Sequence, residues 1–157
     1  MKAKDLMIPL QDYLKPDDTL RDAVNLLKVA QIGVKGLPVL DEAGKLVGML
    51  SMSDILKSVH PAYMDLMNLG EFTWDGMLEE TAKKIADKKV YTLMTKDVIT
   101  VKEDSSLMDA VDHLIKRNVK RLPVLDNAGK LVGMLYERDV FFAIVKAMLN
   151  ENAGGGK

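Results

Sequence analysis

The sequence predicts an α+β fold: two β-α-β-β-α repeats related by pseudo-twofold symmetry, with a helical insert between them. Three observations carry that expectation. Residues 34–50, VKGLPVLDEAGKLVGML, return at 119–135 as VKRLPVLDNAGKLVGML, with differences only at Gly36/Arg121 and Glu42/Asn127. The match continues upstream at a separation of 87 residues, pairing Leu6-Met7 with Leu93-Met94 and Leu20, Ala23, Val24 and Leu27 with Leu107, Ala110, Val111 and Leu114. In both copies an i, i+3, i+4, i+7 apolar stripe precedes two short apolar runs, the order helix, strand, strand.

Each copy begins with a short extended segment, 12–14 or 98–101, followed by a polar stretch suited to cap a helix, Lys15-Pro16-Asp17-Asp18 or Lys102-Glu103-Asp104-Ser105. The striped helix comes next. Past it the separation drops to 85, so the first copy carries two extra residues near Ala30 to Gly33, at a helix-to-strand connection that tolerates insertion. The LPVLD strand follows, with Pro38 or Pro123 expected at a strand start or edge because proline cannot donate to a ladder. Asp-x-Ala-Gly makes a tight turn, KLVGML returns as the hairpin's second strand, and a second helix starts near Ser53 or Arg138. The first repeat is assigned to 1–58, the insert to 59–90, the second repeat to 91–150 and a disordered tail to 151–157. Within the insert, EETAKKIADKK (79–89) reads as a helix, while Met64, Met67, Phe72 and Trp74 suit either a cover for the module's own core or a partner surface.

Composition removes several classes of function. Apolar and charged contents of 48% and 29% are those of a globular protein, and a net charge of −1 creates no field that would gather nucleic acid or an anionic membrane. Any anionic ligand must be held locally. The absence of cysteine excludes disulfides, thiolate metal sites and cysteine nucleophiles, and fits a reducing, cytoplasmic setting. Asp5 and Pro9 interrupt what a signal peptide would keep apolar, and no run approaches the roughly 20 residues of a membrane span. His60 and His113 lack metal-ligand spacing, Ser51 and Ser53 lack a His-acid pair, and Gly44-Lys45 and Gly129-Lys130 belong to turns and not to a phosphate loop. No catalysis and no metal are expected.

Two β-α-β-β-α copies, each with an LPV strand start, an Asp-x-x-Gly-x-Leu-Val-Gly hairpin and an Asp six residues beyond its last Gly, resemble a tandem pair of CBS domains, a Bateman module. The resemblance covers almost all of residues 4–147. It implies a regulatory module that binds an adenosine-containing ligand (AMP, ADP, ATP or S-adenosylmethionine) in the cleft between the copies. The module would act through a partner protein in trans or through its own homodimer. The alternative is a dimerisation or protein-interaction module without a physiological nucleotide.

The family's ligand motif, Gly-x-Ile/Leu-Thr/Ser-x-x-Asp, is met by Gly48-Met49-Leu50-Ser51-Met52-Ser53-Asp54. The second copy keeps Gly133 and Asp139 but places the bulkier Tyr136 at the hydroxyl position. A carboxylate is acceptor-only and its two oxygens can receive both hydroxyls of a ribose diol, so Asp54 and Asp139 are candidate clamps. Ser51-x-x-Asp54 is equally a capping-box signature, and Asp139 equally an acid favoured by a helix dipole. By position, the candidate contacts of the second copy also include Ile99, Thr100, Arg121, Tyr136 and Arg138, and those of the first include Tyr13, Lys35 and Ser51. Val98, Leu122 and Val124, with Ile99, suit either an adenine enclosure or plain core. Arg121 and Arg138 stand where the first copy has Gly36 and Ser53, so the second site is expected to prefer the more highly charged ligands.

Overall fold

A computed structural model describes residues 1–29, 36–60 and 76–149. Lys35 and the Met- and aromatic-rich stretch at 61–75 lie outside the described residues, as does the 151–157 tail. The elements run α1 (Ala3–Leu6), β1 (Ile8–Pro9), α2 (Leu20–Val29), β2 (Gly36–Leu40), β3 (Leu46–Ser51), α3 (Met52–Val59), α4 (Met77–Ile85), α5 (Val90–Leu93), β4 (Val101–Lys102), α6 (Leu107–Lys116), β5 (Arg121–Leu125), β6 (Leu131–Tyr136) and α7 (Glu137–Met148). The mixed helix and strand order is the α+β class expected. Among the described residues no helix is long and apolar enough to cross a membrane.

The chain divides into two compact units that are not the two sequence repeats: Met1–Gln11 joins Ile99–Lys157 in unit 1, and Asp12–Val98 forms unit 2. The leading segment of each repeat packs with the body of the other. In unit 1 the sheet order is β1-β6-β5-β4, so the N-terminal Ile8 pairs with Met134 and Pro9 with Gly133. In unit 2 the β2-β3 hairpin is flanked in the same places by single bridges, Thr95 to Met49 and Leu14 to Val39. Thr95 thus stands to β3 as Ile8 stands to β6. Hairpin pairing is local and readable from the sequence, whereas these outer pairings join distant segments and leave no local signal.

Several boundaries differ from expectation for identifiable reasons. The extended segment foreseen at 12–14 is reduced to Leu14, whose N–H donates to Pro38 O and whose carbonyl accepts from Leu40 N, both at 2.8 Å. Two residues on, Pro16 has no N–H with which to extend the ladder. Pro38 and Pro123 sit mid-strand and not at a strand start. This is tolerated at Pro38 because its backbone faces the Leu14 side, where the neighbouring segment is too short to need a donor. The helix foreseen at 79–89 ends at Ile85, and Val90 opens α5. Ile85 and Val90 both enter the unit 2 core with Leu14, Leu20, Ala23, Leu37, Val39 and Leu50. The matching core of unit 1 holds Ala3, Val101, Ala110, Leu114, Leu122, Val124, Leu135 and Val140.

Candidate functional site

In unit 2, β3 delivers Ser51 to the N-terminus of α3 as its cap. The Ser51 N–H and hydroxyl donate to Asp54 Oδ2 at 2.9 and 3.0 Å, and the Ser51 hydroxyl accepts from the Asp54 N–H at 3.2 Å. This reciprocal arrangement satisfies orphan donors of the first turn. From the segment after α5, the Thr95 hydroxyl donates to the other carboxylate oxygen, Asp54 Oδ1, at 3.1 Å. Asp54 therefore closes a capping box and ties residue 95 to α3. Ser51→Ala is expected to lower stability by about 0.5–2 kcal/mol, read in a urea titration without ligand. Tyr13 is exposed, just ahead of the Leu14 bridge.

Unit 1 repeats this frame with different side chains. Tyr136 ends β6 and is the N-cap residue of α7, but its side chain makes no cap hydrogen bond. Asp139 is half-buried on the first turn of α7. Arg121 starts β5 directly across the ladder from Tyr136. Burial pushes the Tyr136 phenol above its ordinary pKa, the Arg121 guanidinium works against that shift, and the Asp139 carboxylate adds to it. Arg121 and Asp139 are thus both within electrostatic reach of the Tyr136 phenol. Arg138 is exposed, with its guanidinium 5.7 Å from the centre of the Phe142 ring, a cation–π contact one helical turn along α7. Thr100 is half-buried immediately before β4, and Ile99 packs against the unit 1 core with Leu122 and Val124.

Asp139 also lines a cavity of about 350 Å³ with Met1, Leu6, Ile8, Phe142, Ala143 and Lys146. Asp139, Phe142, Ala143 and Lys146 lie at i, i+3, i+4 and i+7, one stripe of α7. Sequence reasoning singled out Asp139 and missed the other six. The helical stripe downstream of Asp139 was a usable signal for three of them. Met1, Leu6 and Ile8 reach the cavity through the pairing of β1 with β6, which nothing local announces. The lining joins apolar surface to one acid and one base, a composition suited to a small organic ligand held by few polar contacts. Among the described residues no cluster of three or more His, Cys, Asp or Glu could hold a metal ion.

The CBS domain profile matches residues 3–61 and 82–146. The chain belongs to the CBS domain family. Its two matched segments make it a tandem CBS pair. It is 36% identical over 158 residues to protein MJ1426 of Methanocaldococcus jannaschii, covering 92% of each chain. It is 34% identical over 151 residues to the chloroplastic CBS domain-containing protein CBSX2 of Arabidopsis thaliana, covering 90% of this chain and 63% of that protein. A crystal structure of CBSX2 in complex with AMP superposes on the CBS pair with a TM-score of 0.69 at 32% identity, covering 94% of this chain and 98% of that one. Inosine-5'-monophosphate dehydrogenase of M. jannaschii is 30% identical over 139 residues, but the CBS pair spans 23% of its length.

Proposed function

We propose that this CBS pair is a non-catalytic regulatory module whose ligand is an adenosine-containing nucleotide (AMP, ADP, ATP or S-adenosylmethionine), with Asp139 as the ribose clamp. The observation that carries the reading is that Asp139 lines a cavity of about 350 Å³, with the Tyr136 phenol in electrostatic reach of it. AMP in the structure of the similar CBSX2 supports the ligand class. Arg121, Arg138 and Lys146 are the cations at hand for phosphate, and Arg suits it through its planar fork. Binding regulates only where the ligand prefers one arrangement of the protein over another, so the output passes to a partner in trans or to a homodimer. Exposed Phe141, Ile144 and Met148 on α7 favour self-association as that route.

A thermal melt with AMP, ADP, ATP and S-adenosylmethionine tests the reading. Ligand at a hundred times its dissociation constant should add about 2.7 kcal/mol, a rise of roughly 5–11 °C for a chain of this size. Asp139→Ala should weaken binding by about 1.5–3 kcal/mol for each hydrogen bond lost. An unchanged melt with all four ligands rejects the adenosyl class.

A further inference from the structure

We propose that Met7 and Met94 are paired oxidation sites, at which hydrogen peroxide converts the thioether to the sulfoxide and unseats the leading segment of each repeat. The chain has 11 methionines and no cysteine, so oxidation of its sulfur falls on methionine alone. Met7 and Met94 hold equivalent places, each just before the residue that pairs with the hairpin's second strand, Ile8 with Met134 and Thr95 with Met49. In both repeats the sulfur lies over a strand glycine: a Cβ would stand 2.8 Å from Met7 Sδ at Gly133 and 2.5 Å from Met94 Sδ at Gly48. Both side chains are half-buried against the core of their own unit, which leaves them within reach of a small oxidant.

A lone pair of Sδ attacks one peroxide oxygen; the S–O bond forms as the O–O bond breaks, and the departing hydroxide takes the proton of the transferred oxygen and leaves as water. Sulfur is oxidised and the peroxide is reduced, with no further reactant. The product carries a polar oxygen where an apolar sulfur met a close-packed wall. Each seat also holds a backbone carbonyl: Ile8 O is 2.7 Å from the Cβ position of Gly133, and Thr95 O is 3.0 Å from that of Gly48. Two acceptors with no proton between them repel, so the sulfoxide leaves the glycine and the leader loses its packing. The pairing that remains is short, two residues at β1 and a single bridge at Thr95. Ile8 lines the Asp139 cavity and the Thr95 hydroxyl donates to Asp54, so each oxidation is felt at the candidate site of its unit. The module thereby gains a peroxide input that does not depend on which ligand it takes.

Hydrogen exchange of the full chain, read by mass spectrometry before and after peroxide, tests this. Once Met7 and Met94 are sulfoxides, the Leu10 and Thr95 amides, which donate to Val132 O at 3.0 Å and to Met49 O at 2.8 Å, are expected to exchange at least about tenfold faster. Methionine sulfoxide reductase should restore the parent rates. Met7→Leu should keep the Leu10 amide slow under peroxide, and Met94→Leu the Thr95 amide, since leucine fills a similar volume. Replacing the exposed Met108 and Met148 by leucine should protect neither. Unchanged exchange in a chain whose mass shows both sulfoxides would overturn the inference. So would Met7 and Met94 that stay reduced while Met108 and Met148 are fully oxidised, or exchange that stays fast once the reductase has removed both sulfoxides.

Discussion

Leu135→Ala is expected to lower stability by about 2–5 kcal/mol and the melting temperature by roughly 4–20 °C. Leu135 is 0% exposed at the centre of the unit 1 core, among Leu122, Val124, Val101 and Val140. The loss has two parts: the transfer free energy of the deleted carbons, and the unfilled space left in a close-packed interior. Leu50 is also 0% exposed and holds the same position in the other repeat, within the core of unit 2. Leu50→Ala should therefore fall in the same range. Scanning calorimetry of the two variants measures both. A loss below about 1 kcal/mol at either position would mean that its core collapses around the gap, contrary to the close packing of that unit.

The next largest effect belongs to the two motif glycines. A Cβ at Gly133 would stand 2.7 Å from Ile8 O and 2.8 Å from Met7 Sδ. A Cβ at Gly48 would stand 2.5 Å from Met94 Sδ and 3.0 Å from Thr95 O. Gly133→Ala should cost about 1–3 kcal/mol, because the nearest obstacle is a backbone carbonyl that cannot move without breaking the β1–β6 pairing. Gly48→Ala should cost less, since its nearest neighbour is a flexible thioether that can adopt another rotamer. Denaturant midpoints give the order, and Met94→Ala should relieve much of the Gly48→Ala loss in a double-mutant cycle. Equal costs, with no relief, would show that the Thr95 carbonyl and not the Met94 side chain sets the penalty at Gly48.

These glycines also mark where local reading stops. The hairpins were legible because their determinants are close in sequence. Asp41 Oδ1 accepts from Ala43 N and Lys45 N, Asp126 repeats the pattern with Ala128 and Lys130, and Gly44 and Gly129 take φ of 82° and 84°. The helix faces were legible from their period, with Leu20 and Ala23 buried in α2 and Ala110 and Leu114 in α6. The leaders were not. Leu6-Met7 and Leu93-Met94 announce themselves as equivalents, but the sequence does not say which hairpin each will flank. The same limit applied at the site. Ser51 and Asp54 left clamp and cap equally open, and the structure supplies the cap geometry together with the Thr95 bond, which depends on a residue 41 positions away. The Asp139 cavity needed Ile8, and Ile8 needed β6.

The exchanged leaders also impose an order on synthesis. Unit 2 is a continuous stretch, Asp12–Val98, and its core is complete once residue 98 has left the ribosome. Unit 1 is interrupted by it, and Met1–Gln11 cannot settle until β6, ending at Tyr136, has been made. Residues 1–11 are made before unit 2 and find their places after it. A nascent chain stalled with residue 98 just clear of the ribosome should already protect Leu14, Leu50 and Val90 from amide exchange while Ala3 and Ile8 still exchange freely.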